Sequence, residues 1–259
     1  MKIQILSDLH LETEQADLPA APEAELLVLA GDIDSRWQAL ARFANWPVPV
    51  VFVPGNHEFD RRDVDEALAQ LRQRCAEWGI TLLDREETTL TDRQGRRIRL
   101  LGCTRWCDFD LFGLAARPKV MRAASYFVKV MQSTRDGQPF DPIAVREEAL
   151  AHRQWLLDAL QHTAAPGEGW DATVVVTHFG PSLLSADPRY GRQPGTASFC
   201  NADDDLLPLA DLWIHGHLHC RHDYRVAHPG GHTRVVSNAR GHSHKGETLG
   251  WDPLFTVEV

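Results

Sequence analysis

Residues 50–58 read VVFVPGNHE, in which Val50 to Val53 are consecutively apolar and Pro54-Gly55 leads into three polar residues. Apolar side chains on successive positions predict a short strand buried on both faces, and Pro-Gly predicts that the strand ends there. Four other short runs have the same design, apolar throughout and ending abruptly in polar residues: Ile3 to Leu6, Leu26 to Ala30, Thr173 to Val176 and Leu212 to Ile214. The chain is therefore predicted to be built on buried strands.

Two of the segments between these runs have apolar residues at helical spacing. The first begins after Asp60, a suitable N-cap, and ends at Gly79. The second begins at Asp141-Pro142, an N-cap followed by proline at the first helical position. The apolar positions are Val64, Leu68, Leu71, Cys75 and Trp78 in the first helix, and Val145, Ala149, Leu156 and Leu160 in the second. Strands that alternate with helices predict βαβ units and a largely parallel inner sheet.

Three further runs are not joined to their partner strands through long helices: Arg97 to Cys103, Thr233 to Ser237 and Leu254 to Val259. They predict a second sheet packed on the first, and so an α/β fold with four layers, an αββα sandwich of two mixed sheets flanked by helices. No linker, repeat or low-complexity tract divides the sequence, which predicts a single domain over residues 1–259. Residues 108–139 are the least regular. We interpret them as a cap or insertion whose aromatic residues belong to the core rather than to a base-stacking surface.

Composition restricts the classes of partner. The 259 residues are 43% hydrophobic with a net charge of −9, which is typical of a globular protein and provides no basic field for long nucleic acid. No apolar run approaches the ~20 residues of a membrane-spanning helix, and the first residues do not resemble a secretory signal. The five cysteines are odd in number and scattered, which indicates reduced thiols. We therefore expect a soluble, cytoplasmic protein that binds neither a membrane nor long nucleic acid.

Side chains that can bind a metal ion follow each of the five buried strands. In chain order these donors are Asp8 and His10, Asp32, Asn56, His178, and His217 and His219. Functional groups gather at the carboxyl ends of parallel strands, so residues distant in sequence can meet there. The Asp8/His10 and His217/His219 pairs would each project to one side if the backbone stays extended. The pattern predicts a shared metal site, whereas Glu58 is interpreted as a structural acid that binds backbone amides.

The types of donor restrict the metal. Carboxylate and amide oxygens with imidazole nitrogens, and no thiolate, suit Mn, Fe, Co or Zn. Asp32 is the natural bridge, because one carboxylate can bind two cations about 3.5–4 Å apart. Two such cations can polarise a phosphoryl oxygen and lower the pKa of bound water to about 7. The sequence therefore predicts a site for divalent ions that supports hydrolysis.

In its five motifs the chain resembles the calcineurin-like metallophosphoesterase superfamily. The matching motifs are Asp8-Leu9-His10, Gly31-Asp32, Gly55-Asn56-His57-Glu58, Thr177-His178 and Gly216-His217-Leu218-His219. The resemblance implies two divalent ions, one held by Asp8, His10, Asp32 and His219 and the other by Asp32, Asn56, His178 and His217. It also implies an αββα sandwich and hydrolysis of phosphomonoesters or phosphodiesters by a metal-bridging hydroxide, with His57 as proton donor. The expected substrate is a phosphorylated small molecule, a nucleotide or a phosphoprotein.

Cationic side chains that would bind the phosphate are less well defined. The protein phosphatase branch of the superfamily has an Asp and an Arg three and four residues after the metal-binding Asp, where this chain has Ser35 and Arg36. The residue that orients His57 is therefore not identified. Arg36, Arg105 and Arg240 are the candidate phosphate ligands, because arginine can bind phosphate through two parallel hydrogen bonds.

Histidines are concentrated near the end of the sequence. Residues 215–244 contain eight of the 13, but only His217 and His219 match the motifs. His215 could orient a metal ligand through a hydrogen bond, His242 is undecided, and the others are interpreted as surface or loop residues.

Two alternative functions remain open. The same activation of water could serve a metal-assisted hydrolase of non-phosphate esters or amides. A chain of this fold could also be a non-catalytic metal-binding scaffold. The presence of His57 together with all seven donors favours the enzyme, because a scaffold has no need of a proton donor.

Overall fold

The computed structural model describes residues 1–164 and 169–259. Its strands are β1 (Lys2–Leu6), β2 (Leu26–Leu29), β3 (Val50–Phe52), β4 (Thr81–Leu82), β5 (Glu86–Thr91), β6 (Arg97–Cys103), β7 (Thr134–Arg135), β8 (Gln138–Pro139), β9 (Ala172–Thr177), β10 (Leu212–Ile214), β11 (Arg221–His228), β12 (Gly231–Asn238) and β13 (Thr256–Glu258). Its α-helices are α1 (Val64–Glu77), α2 (Arg117–Ala123) and α3 (Pro142–Gln161). None of the described helices is long and apolar enough to cross a membrane.

The larger strands form two mixed sheets. The first sheet has the order β13-β1-β2-β3-β4, in which β1 to β4 are parallel and β13 is antiparallel to β1. The second has the order β11-β12-β10-β9-β6-β5, in which the four central strands are parallel and the two edge strands antiparallel. Antiparallel strands at the edges thus flank a parallel centre in the second sheet.

Apolar clusters occupy the three spaces between four layers. Alternate residues of both sheets pack face to face, including Ile5 and Val28 from the first and Val174 and Ile214 from the second. The opposite faces are covered by helices, since the first sheet shares a cluster with α1 and the second shares one with α3. Each parallel strand is therefore buried on both faces, as its continuous apolar run requires. The predicted αββα sandwich of two mixed sheets is confirmed.

The assignment of strands to sheets differs from the sequence prediction. The runs at Thr173 to Val176 and Leu212 to Ile214 were expected in one inner sheet with β1, β2 and β3, but they form β9 and β10 of the second sheet. The run at Leu254 to Val259 was expected in the second sheet, but it contributes β13, which pairs with β1. An apolar run indicates that a strand is buried, but it does not identify the strand beside it.

Helix boundaries are close to those predicted. Asp141 caps α3 as expected, since its carboxylate accepts hydrogen bonds from the amides of Ile143 and Ala144. The cap of α1 is Asp63 rather than Asp60. Asp60 instead bonds to His57, and this tertiary contact could not be recognised from capping preferences.

Residues 108–139 fold over one side of the first sheet. They contain α2, a π-helical turn at Phe127–Met131 and the β7-β8 hairpin. The turn joins the body through the amide of Arg61, which donates to the carbonyl of Met131 over 2.8 Å. Phe109 and Phe127 are fully buried, in agreement with the core interpretation of these aromatics. The prediction of a single domain over the whole chain stays a prediction.

A buried ion pair ties the loop that follows β6 to the connection between β9 and β10. The guanidinium of Arg105 donates two hydrogen bonds to Asp203, over 2.9 and 2.8 Å, and a third to Asp108 over 2.9 Å. Arg105 and Asp203 are both fully buried. Removing one partner from such a pair leaves an uncompensated charge in the interior.

We predict that Asp203→Asn lowers the free energy of unfolding by about 3–5 kcal/mol, because Arg105 then lacks its main counter-charge. The measurement is urea unfolding followed by circular dichroism. Asp205→Asn is the matched control, since Asp205 is exposed and pairs with Arg153 at the surface, where the loss should be no more than about 1 kcal/mol. Equal effects of the two substitutions would contradict the prediction.

Candidate metal centre

The carboxyl ends of strands from both sheets meet at one edge of the sandwich. Ser7, after β1, forms a parallel bridge with Ala239, after β12. In the second sheet the amide of Gly216 donates to the carbonyl of His178 over 3.0 Å. Within the first sheet the amide of Asp8 donates to the carbonyl of Gly31 over 3.0 Å. The loops that carry the predicted donors are therefore held against one another.

The predicted donors form overlapping groups at this edge. Ligand atoms lie within 4.8 Å of one another in each of three groups: Asp8, His10 and Asp32; Asp32, His178 and His217; and His10, His219 and His242. Asp32 belongs to two of the groups, which is the position of a bridging ligand. The structure thus brings together residues that are up to about 200 positions apart in the sequence.

Two histidines point their outer ring nitrogens at each other. Nε2 of His10 and Nε2 of His219 are 3.1 Å apart. Nδ1 of His10 lies 3.1 Å from Glu12, and Nδ1 of His219 lies 2.7 Å from Glu247. A carboxylate accepts hydrogen bonds, so each neutral ring places its hydrogen on Nδ1 and leaves a lone pair on Nε2. Two facing lone pairs at this distance are suited to a cation that accepts both.

The side chains of Asp32 and His178 also face each other through atoms that can bind a cation. Nδ1 of His178 donates to the carbonyl of Ala30 over 2.9 Å, and its Nε2 lies 3.2 Å from Oδ2 of Asp32. Burial opposes a charge on His178, but the carboxylate of Asp32 outweighs burial and raises the pKa of His178 to about 9. Burial also opposes the charge on Asp32, yet His178 and His57 hold the pKa of Asp32 well below its usual value. The pair strongly favours a positive charge between its members, and a metal ion would replace the proton there.

Buried polar atoms without hydrogen-bond partners also indicate that the donor set fits a metal ion. Among the buried atoms without a hydrogen-bond partner in the described residues are ligand atoms of three predicted donors: Oδ2 of Asp32, Oδ1 of Asn56 and Nε2 of His178. Buried polar atoms are nearly always paired, because an unpaired one costs about 1–3 kcal/mol. All three are lone-pair donors in the predicted ligand set, so a cation would satisfy them together.

Backbone conformation at the site differs from the sequence expectation. Asp8, His10, Asp32, His217 and His219 all have φ between 47° and 68°, in the left-handed region. The i, i+2 pairs were expected in extended backbone, and the left-handed φ values show that this expectation was wrong. Left-handed backbone is uncommon for residues other than glycine and concentrates at functional sites. Sharp turns, rather than the alternation of a strand, direct these side chains into one place.

Glycines allow the loops to approach the donors closely. A Cβ on Gly216 would lie 2.6 Å from Oδ2 of Asp8, and Cβ atoms on Gly31 and Gly55 would overlap the side chains of His178 and Asp32. Gly31 also has φ of 87°, which favours glycine. Larger residues at these positions would push the donors apart.

His57 lies beside the donors and is held on both sides of its ring. Its Nδ1 is 2.7 Å from Oδ2 of Asp60, and its Nε2 contacts the hydroxyl of Tyr126. Burial disfavours the charged imidazolium, but Asp32 and Asp60 outweigh burial and raise the pKa of His57 to about 10. Asp60 therefore orients His57, which the sequence had left without a partner.

Glu58 supports the site from below, as the sequence interpretation proposed. Its Oε2 accepts from the amides of Asp32 and Gly55, over 2.9 and 2.7 Å. Its Oε1 accepts from the amides of Ile33 and Asp34, over 2.8 and 3.3 Å. One buried carboxylate thus fixes the loops after β2 and β3, and its interpretation as a backbone-binding acid is confirmed.

The candidate phosphate-binding arginines do not face the site. Arg105 is fully buried in its pairs with Asp203 and Asp108. Arg240 is buried as well, and its guanidinium donates to the carbonyl of Leu9 and to Glu14. Arg36 is exposed and does not line the cavity beside the donors. Burial and counter-charges thus contradict Arg105 and Arg240 as phosphate ligands, and the geometry argues against Arg36.

Four residues at the site were not identified from the sequence. Glu12 and Glu247 hold the rings of His10 and His219, Tyr126 contacts His57, and His242, left undecided, stacks on His10 with ring centres 4.4 Å apart. A carboxylate two residues after a histidine was a weak signal for Glu12.

His215 also departs from the sequence interpretation. It bonds to Ser185 over 2.9 Å and does not hydrogen-bond to any of the predicted metal ligands within the described chain.

We predict that Glu58→Gln lowers the free energy of unfolding by at least about 2 kcal/mol. The amide nitrogen of glutamine would face two backbone N–H groups that the carboxylate now satisfies, and each unsatisfied donor costs about 1–3 kcal/mol. Urea unfolding measures the loss, and Glu66→Gln on the exposed face of α1 is the control. A Glu58→Gln protein as stable as this control would exclude a supporting role for the carboxylate.

Comparison with solved structures supports the fold. One similar structure is a phosphopantetheinyl hydrolase from Mycobacterium tuberculosis, with a TM-score of 0.72 and 17% sequence identity. The match covers 99% of this chain and 95% of that one. At this identity the likeness establishes the architecture alone. No match to the chain is found among curated proteins.

The sequence also matches a family model, described as calcineurin-like phosphoesterase, over residues 1–221. The matched region contains β1 to β10 and every predicted donor. The resemblance seen in the five motifs is thus confirmed, and the chain belongs to the calcineurin-like phosphoesterase family.

Proposed function

We propose that the chain is a binuclear metal-dependent hydrolase of phosphomonoesters or phosphodiesters. One observation carries the proposal: buried ligand atoms of Asp32, Asn56 and His178 have no hydrogen-bond partner among the described residues, and those of Asp32 and His178 lie within 4.8 Å of a ligand atom of His217. One ion would be held by Asp8, His10, Asp32 and His219, and the other by Asp32, Asn56, His178 and His217. Oxygen and imidazole donors without thiolate favour Mn, Fe or Zn.

When bound, two such ions would polarise the phosphoryl oxygens and lower the pKa of water. The protein contributes the geometry around them. Glu58 holds the loops of Asp32 and Asn56 in place, and Glu12 and Glu247 fix the rings of His10 and His219 so that Nε2 faces inward. Such fixed donors need little rearrangement during the reaction.

His57 is proposed to donate a proton to the leaving-group oxygen. Asp60 binds its Nδ1, which leaves Nε2 for transfer, and this nitrogen faces the cavity where the hydroxyl of Tyr126 now lies. A positioned acid of this kind contributes typically about 10²–10⁴-fold to a rate.

The carboxylate of Asp32 is predicted to be needed for both metal binding and hydrolysis. Asp32→Asn should reduce bound metal from roughly two ions per chain and abolish hydrolysis, because an amide cannot bridge two cations. Elemental analysis after loading with Mn gives the metal content, and a panel of chromogenic phosphomonoesters and phosphodiesters gives the activity. Asp17→Ala, at an exposed residue, is the control. Full metal content in Asp32→Asn would refute the proposed bridge.

A wider panel of substrates separates the rival functions. It includes a phosphopantetheinyl ester, because the similar solved structure is named as a phosphopantetheinyl hydrolase. It also includes carboxylic esters and amides with the same leaving groups as the phosphoesters. Hydrolysis of carboxylic substrates alone would favour the non-phosphate hydrolase. A metal-loaded protein inert on the whole panel would favour the scaffold.

His57 is predicted to be needed for catalysis but not for metal binding. His57→Gln should retain its metal and lose about 10²–10⁴-fold in kcat, since the proton donor is removed and the ligands remain. The control is His232→Gln, because His232 is exposed on β12 and does not line the cavity. Wild-type kcat in His57→Gln would remove this residue from the mechanism.

A further inference from the structure

A large cavity opens directly from the candidate metal centre. Asp32, His57, His217 and His219 are among the residues that line it, and its volume is about 540 Å³. Cavities that bind small molecules typically measure roughly 300–1,000 Å³. A phosphoryl group occupies only a small part of this space, so most of the cavity must accommodate the rest of a substrate.

One wall comes from the least regular segment of the chain. Ala123 and Ala124 at the end of α2, Tyr126, and Val130 in the π-helical turn line this side. The small side chains of the two alanines leave room, and Val130 is 51% exposed. Residues 108–139 thus form part of the cavity through uncharged side chains.

A second wall comes from the loop that follows β9. Tyr190 and Phe199 line it, and both are partly exposed, 62% and 42% respectively. Phe199 stacks on the ring of His217, with centroids 4.8 Å apart and planes inclined by 27°. An aromatic wall therefore begins at a candidate metal ligand and continues outward along the cavity.

Charge in the cavity is sparse beyond the metal centre. The carboxylate of Asp187 is bound by Arg189, and that of Glu247 by the ring of His219. Lys245 is the one lysine or arginine among the described residues that line the cavity, and it is exposed. A nucleotide polyphosphate or an acidic phosphopeptide would bring several negative charges to walls that offer few cations.

We propose that this cavity binds the leaving group of the substrate and selects phosphoesters of an uncharged, largely apolar alcohol. Val130 on one wall and Phe199 on the other are the specificity residues. The proposal rests on the proposed phosphoesterase function and adds the class of substrate. Exposed apolar side chains on both walls would lose contact with water when such a group enters, which favours binding.

The experiment compares phenyl, 2-naphthyl and 4-carboxyphenyl esters, each as a phosphomonoester and as a methyl phosphodiester. The three phenols differ little in acidity, and comparison of variants on the same esters cancels this difference, so a change in the ratio of kcat/KM reports binding of the leaving group. With the Mn-loaded protein we expect kcat/KM for the naphthyl ester to exceed that for the phenyl ester about tenfold, because the second ring buries more apolar surface. The carboxyphenyl ester should be the poorest substrate.

A pair of neighbouring valines provides the variants. Val130→Asp places a carboxylate in the cavity wall and should reduce the naphthyl-to-phenyl ratio of kcat/KM to near one. Val128→Asp is the matched control, since Val128 is exposed on the same turn but does not line the cavity, and it should keep the wild-type ratio. A ratio that changes equally in both variants would overturn the proposal.

The outcomes separate this inference from the function on which it rests. Hydrolysis of all three esters with equal kcat/KM, or a preference for the carboxyphenyl ester, would overturn the apolar leaving-group site and leave the phosphoesterase in place. Absence of hydrolysis with every ester of the set would overturn both.

Discussion

Everything at the site depends on the convergence of acceptor atoms that repel one another unless a positive charge lies between them. Nε2 of His10 faces Nε2 of His219, and Nε2 of His178 faces a carboxylate oxygen of Asp32, at 3.1 and 3.2 Å. Protein interiors avoid such contacts unless a proton or another cation lies between the two atoms. The fold holds them in place through sharp turns with left-handed backbone, as at Asp8. This arrangement is stable only with a proton or a metal ion present.

The fold withstands this local repulsion because other groups are well satisfied. Each inward-facing ring is held from behind by a hydrogen bond at Nδ1, to Glu12, to Glu247 or to the carbonyl of Ala30. Beneath them, Glu58 accepts four backbone amides and joins two loops of the first sheet. The rigid αββα body, packed on both faces of its parallel strands, carries these loops. Strain is thus concentrated at the donors while the supporting bonds remain ordinary.

Residues 108–139 contribute both to the candidate metal centre and to the adjoining cavity. Their π-helical turn is anchored to the body at Arg61, while Tyr126 reaches the proposed proton donor and Val130 lines the adjoining cavity. The segment lacks the regular apolar period of the strands, because its side chains serve the core on one side and a cavity on the other. An irregular stretch of sequence therefore has a definite structural role here.

The sequence by itself determined the four-layer class and the family and predicted the donors, because consecutive apolar residues and the chemistry of the side chains that follow them are local properties. Capping at Asp141 and the backbone-binding role of Glu58 could also be predicted. Only the tertiary structure decided that β13 pairs with β1, that Asp60 orients His57, and that Arg105 forms a buried ion pair. Each of these depends on which side chain lies opposite which, and a linear pattern of hydrophobicity and charge does not contain that information.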